Sequence, residues 1–83
     1  MRPYCKMHTG DYQMIEVAYD FNKKTGKSLV RFEKPDTTYG FKVFECELPT
    51  YTIKLCVGFS AVEQRYLLKF CENNASLLLT EDG

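Results

Sequence analysis

Ile15-Glu16-Val17-Ala18-Tyr19-Asp20-Phe21-Asn22-Lys23-Lys24-Thr25-Gly26-Lys27-Ser28-Leu29-Val30-Arg31-Phe32-Glu33 is the stretch whose reading decides the fold. In its first limb Ile15, Val17, Tyr19 and Phe21 alternate with Glu16, Ala18 and Asp20. An extended chain therefore gathers the apolar side chains on one face and leaves the others to water. In the second limb Val30 and Phe32 alternate with Arg31 and Glu33 in the same way. Between the limbs lies a four-residue loop whose last position needs positive φ, which Gly26 adopts without a steric clash. That loop sets Tyr19 opposite Val30 and Val17 opposite Phe32. Turn chemistry and apolar pattern thus select one register, and the stretch reads as a β-hairpin.

Working outward, Lys34-Pro35-Asp36-Thr37-Thr38-Tyr39-Gly40 is dense in turn formers and is expected to be a surface loop. A second strand pair is expected over 41–48 and 51–57. Tyr51, Ile53, Leu55 and Val57 alternate there with Thr52, Lys54 and Cys56, the cleanest period of two in the chain. With Pro49 and Thr50 as the connection, Leu48 meets Tyr51, Cys46 meets Ile53, Phe44 meets Leu55, and Glu45 lies across from Lys54. Proline cannot take the positive φ of the favoured two-residue turns, so a wider or distorted turn is expected. Phe41 and Val43 break the alternation set by Phe44, Cys46 and Leu48, so a bulge or a strand start covered on both faces is expected there.

Ser60 and Glu63 have the spacing of a capping box, so a helix starts there and ends at Asn73 and Asn74. On a helical wheel Tyr66, Leu67, Phe70 and Cys71 share one arc, with Val62 at its edge, and this arc is expected to pack on the sheet. Leu68 falls among the polar positions and is expected to be either exposed or covered by something else. Leu77-Leu78-Leu79-Thr80 reads as a fifth strand. Residues 1–83 thus form one small α+β domain: an antiparallel sheet of four to five strands, in the order β-β-β-β-α-β, with one helix on one face.

Composition bounds what such a domain does. The 83 residues are 45% hydrophobic and 14% aromatic, far from a disordered chain. Eleven basic and eleven acidic residues leave no net charge to attract nucleic acid or an anionic membrane at long range. No stretch approaches the roughly 20 apolar residues of a membrane span, and Met1-Arg2-Pro3-Tyr4-Cys5-Lys6 lacks the apolar core of a signal peptide. The expected location is the cytoplasm, and no membrane partner is expected. Cys46, Cys56 and Cys71 sit inside apolar runs and read as reduced, buried residues, while Cys5 lies near the N-terminus.

Each chemical pattern has a competing structural account. Pro35-Asp36 followed by Glu45 and Glu47 resembles the Pro-Asp to Glu-x-Lys arrangement of a large nuclease superfamily, which implies a metal-dependent hydrolase. Residue 47 is Glu where that pattern has Lys, and a Glu45 to Lys54 ion pair across the strands accounts for the first glutamate. Cys5 and His8 supply half of a zinc motif, and nothing orients the imidazole for nucleophilic catalysis. Gly26-Lys27-Ser28 ends like a phosphate-binding loop, but position 21 is Phe where the motif needs glycine, and a strand follows it. Asn74-Ala75-Ser76 fits a glycosylation sequon but reads as a helix terminus. No catalytic residue, metal or cofactor is assigned, and the domain reads as non-enzymatic.

Two binding readings are left. Lys23, Lys24, Lys27, Arg31 and Lys34 fall within the hairpin with only Glu33 opposing them, and Tyr12, Tyr39 and Tyr51 offer stacking faces. That is the composition of an RNA or single-stranded DNA platform. The leading reading is a protein partner or a homodimer. One helix covers one face of a sheet, and Val43, Cys56, Tyr12, Met14 and Ala18 then lie on the uncovered one. Val43, Cys56 and Tyr39, with Leu68 on the helix, are the expected contact residues. An inhibitor or adaptor acting through a sheet face or edge fits this pattern. Small domains without a chemical site are common among virus- and phage-encoded proteins that block host machinery.

Overall fold

The computed structural model describes residues 1–8, 14–38 and 40–80. Five strands, β1 (Arg2–His8), β2 (Met14–Asn22), β3 (Lys27–Asp36), β4 (Gly40–Leu48) and β5 (Thr52–Val57), precede α1 (Ala61–Asn73) and a single turn, α2 (Ala75–Leu78). The strands form an antiparallel meander in the order β1-β2-β3-β4-β5. The α+β class is the expected one, with a different placement of the fifth strand. It is the N-terminal segment, and the expected C-terminal strand is instead helical at its start, Leu77 and Leu78 belonging to α2. A four-residue apolar run carries no periodicity that separates strand from helix, and tertiary packing decides it.

The deciding hairpin has its expected register, with Val17 opposite Phe32 and Tyr19 opposite Val30. Gly26 closes the turn at φ 71°, donating its N–H to the Asn22 carbonyl at 2.8 Å. The expected loop over 34–40 is mostly strand: Lys34, Pro35 and Asp36 extend β3 and pair with Lys42, Phe41 and Gly40.

One face of the sheet carries the core. Val30, Phe32, Phe44, Cys46 and Leu48 have no solvent exposure, and Leu67, Cys71 and Leu78 close over them from the helices. Each large apolar side chain so buried contributes about 1.5–3 kcal/mol. The rings of Phe32, Phe44 and Phe70 meet at 5.8–6.0 Å between centroids.

The α1 N-terminus forms the predicted capping box. Glu63 donates its backbone N–H to Ser60 Oγ at 3.2 Å, and Ser60 returns its own to Glu63 Oε1 at 2.8 Å. Leu67, Phe70 and Cys71 pack on the sheet as the wheel places them, but Tyr66 and Val62 point to solvent, and Leu68 is covered and packs against the core. At the far end Asn74 accepts a hydrogen bond from the Tyr4 hydroxyl at 2.8 Å, tying the end of α1 to β1, and donates its side-chain amide to the Phe70 carbonyl at 2.9 Å, closing the last turn of the helix.

Candidate protein-binding interface

The carboxylates singled out by the nuclease-like pattern do not converge. Asp36 ends β3 and accepts the Thr38 N–H at 2.9 Å. Glu45 and Glu47 point from β4 to the uncovered face, where Glu45 meets Arg31 at 3.4 Å. Glu47 lies between Lys27 at 3.8 Å and Lys54 at 3.9 Å. The expected Glu45 to Lys54 pair is therefore replaced by Glu47 to Lys54. Cys5 pairs with Val17 of the core face and His8 with Met14 of the other, so they point to opposite sides of β1. Among the described residues no group of three or more His, Cys, Asp or Glu side chains is placed to hold a metal ion.

A groove between β1 and β2 is lined by residues 3–6 of β1 and 16–18 of β2, Cys5 among them. Burial pushes its thiol, Cys5, up, the reverse of the shift that activates a nucleophile. Cys71 is also pushed up, by the hydrogen bond it gives Cys46 and by its burial. These two cysteines stitch α1 to β4. Cys56, expected to be buried, is exposed.

The hairpin cations do not form a single patch. Lys23 and Lys24 occupy the turn and Lys27 is paired to Glu47. Arg31 Nε sits 3.0 Å from Glu33 and 3.4 Å from Glu45 on the uncovered face. Lys34 lies on the opposite face and is buried. Tyr51 is packed against the core, and Tyr12 and Tyr39 lie outside the described residues. Like charges scattered over two faces and countered by carboxylates make a poor phosphate track.

The uncovered face is also less apolar than expected. Two groups of ion pairs cross its middle, Lys27, Glu47 and Lys54 in one and Glu33, Arg31 and Glu45 in the other. Phe41, Val43, Leu55 and Val57 gather at one corner of the face on β4 and β5, and Met14 and Leu29 add separate apolar area on β2 and β3. Val43 is thus where the sequence placed it. Cys56 is not: it opposes Phe44 on the helix side and its thiol donates to the Phe59 carbonyl at 3.6 Å.

A bulge explains the exchange. Glu45 pairs with Leu55 and Cys46 with Ile53, leaving Lys54 as the extra residue of β5. An extra residue reverses the alternation beyond it, so Leu55 and Val57 turn to the uncovered face. The bulge predicted near Phe41 and Val43 lies instead across from Glu45 and Cys46, where the strands leave a distorted turn. Tyr51 adopts φ 59° after the cis Leu48-Pro49 bond, taking the left-handed conformation that proline cannot.

β5 is exposed along its whole length. Ile53 retains 45% of its accessible surface, Leu55 41% and Val57 37%. α1 and α2 close over the middle of the sheet and leave the helix-side residues of β5 open too. The strand carries no proline and a single charge, Lys54, so it lacks most devices that keep a sheet edge from pairing. It is held at its far end, where Gly58 at φ 85° turns the chain and buried Phe59 anchors it under Lys42, whose ammonium stands 5.9 Å from the ring centre. Glu63, beside Lys42 at 4.0 Å, is held below the usual carboxylate range by its hydrogen bonds from Ser60 and by the nearby lysines.

Cys56 is the one expected contact residue that lies on β5, and it faces the helix side; the rest of the strand carries no expected contact residue. The signal available was its composition: six residues, no proline and a single charge. No helix among the described residues is long and apolar enough to cross a membrane. Comparison of the chain with protein-family models, with curated proteins and with solved structures finds no match.

Proposed function

We propose that this chain is a non-enzymatic protein-interaction domain of inhibitor or adaptor type that binds through β5 and the apolar corner formed by Phe41, Val43, Leu55 and Val57. One observation carries the reading: an outermost strand exposed on both faces presents apolar side chains and an open backbone edge together. Strand addition uses both, main-chain hydrogen bonds for affinity and alternate side chains for selectivity. The ion pairs across the middle of that face keep that part of it in water.

A comparative pull-down from the source cell tests this. Leu55→Lys places a charge in the corner and on the strand, and Tyr66→Lys makes the same change on the exposed helix surface. Proteins recovered by the wild type and by Tyr66→Lys, but lost with Leu55→Lys, are the expected result. Recovery unchanged by Leu55→Lys, or lost only with Tyr66→Lys, removes β5 as the site. Retention on single-stranded nucleic acid that falls in Lys23→Ala with Lys24→Ala would favour nucleic-acid binding instead.

A further inference from the structure

Resting on the reading of β5 as the binding edge, we propose that the strand it accepts is β5 of a second copy of this chain. The two strands run antiparallel about a two-fold axis perpendicular to the sheet, passing between Lys54 and Leu55.

The selecting feature is the order in which β5 distributes its side chains. Thr52 opposes Glu47 on the uncovered face and Ile53 opposes Cys46 on the helix face. Lys54 reaches Glu47 on the uncovered face, and Leu55 joins it there opposite Glu45. Cys56 returns to the helix face opposite Phe44, and Val57 faces outward with Val43. The sequence of faces is uncovered, helix, uncovered, uncovered, helix, uncovered, which reads identically in both directions.

In an antiparallel pair, directly opposite residues share a face. A perpendicular two-fold axis between two residues of a regular strand would set each side chain against one of the other face. The bulge at Lys54 removes that conflict. Ile53 meets the partner's Cys56 on the helix side, Thr52 meets the partner's Val57, and Lys54 meets the partner's Leu55. The two lysines are therefore not directly opposed, and each stands 3.9 Å from the Glu47 of its own chain.

A closed two-fold contact requires a surface complementary to itself, which this strand supplies. It covers the exposed apolar residues of β5 from both copies at once and joins two five-stranded sheets into one. The opposite edge cannot substitute. β1 carries Pro3, which has no N–H to give, and its pairing with β2 is broken between Pro3 and Cys5.

Sedimentation of the full chain from micromolar to millimolar concentration tests the inference. The expected mass rises with concentration from 9.7 kDa toward twice that value. Leu55→Lys stays at the monomer mass with an unchanged circular dichroism spectrum, and Tyr66→Lys behaves as wild type. The axis has its own test. Val57→Glu weakens the dimer, and adding Thr52→Lys, which faces it across the axis, restores it. A constant monomer mass at millimolar concentration overturns the second copy while leaving the β5 reading to the pull-down. A dimer dissociated by Tyr66→Lys and not by Leu55→Lys overturns both. Failure of Thr52→Lys to rescue Val57→Glu overturns the proposed axis.

Discussion

The two edges of the sheet are built on opposite terms. β1 carries Pro3 and Lys6 and is bulged at Tyr4, whose ring packs edge-on against Tyr19 at 5.8 Å and Phe70 at 6.2 Å. The Tyr4 hydroxyl reaches the end of α1, and Met7 is buried beside it in the core. β5 spends none of its side chains in this way. Its six residues remain in water, and it is secured only by its pairing with β4 and by Phe59 beyond it. An edge strand is either made unattractive to other chains or left available to them, and this sheet does one on each side.

Equivalent truncations at the two edges should therefore differ several-fold in cost. Tyr4→Ala removes two ring contacts and the hydrogen bond to Asn74, and should lower unfolding stability by about 3 kcal/mol. Met7→Ala, in the buried row of β1, should cost about 2 kcal/mol. Leu55→Ala, still 41% exposed, should cost below about 1 kcal/mol. Denaturant midpoints measured at equal slope give all three; a Leu55→Ala cost equal to that of Met7→Ala would mean that β5 is covered within one chain.

The tether at the end of β5 offers a smaller effect. Ser60→Ala removes one half of the capping box and should cost about 1 kcal/mol. Its pH dependence follows from Glu63. The folded value of this carboxyl is depressed, so its contribution is present above the unfolded value and is lost as pH falls through the folded one. The stability gap between wild type and Glu63→Gln should accordingly be open at neutral pH and close in acid, as read from thermal midpoints. A gap independent of pH would show that Glu63 acts without its charge. Smallest of all, Lys54→Ala should change monomer stability by only a few tenths of a kcal/mol, since its ion pair with Glu47 is exposed.

How much of this was legible depended on whether local pattern and tertiary demand agreed. The β2 and β3 register was legible because Gly26 and the alternation of Val17, Tyr19, Val30 and Phe32 point the same way. So was the α1 start, because Ser60 and Glu63 need only each other. β1 was not, because Pro3 and the bulge at Tyr4 disrupt any period of two, and the segment is placed by contacts with Tyr19, Phe70 and Asn74. The edges of the α1 packing arc were misread for the same reason: wheel position favours Tyr66 over Leu68, whereas packing on the sheet leaves Tyr66 exposed and covers Leu68. At β5 the composition was legible, but the faces were not. The strand alternates cleanly in sequence, and nothing in it shows that Lys54 is looped out against β4.

The central claim is that β5 pairs with another strand and β1 does not. Amide hydrogen exchange of the free chain, compared between micromolar and millimolar concentration, tests it most directly. Exchange that slows across residues 52–57 at the higher concentration, with residues 2–8 unchanged, is the predicted result. Equal rates across 52–57 at both concentrations, or slowing confined to 2–8, would contradict it.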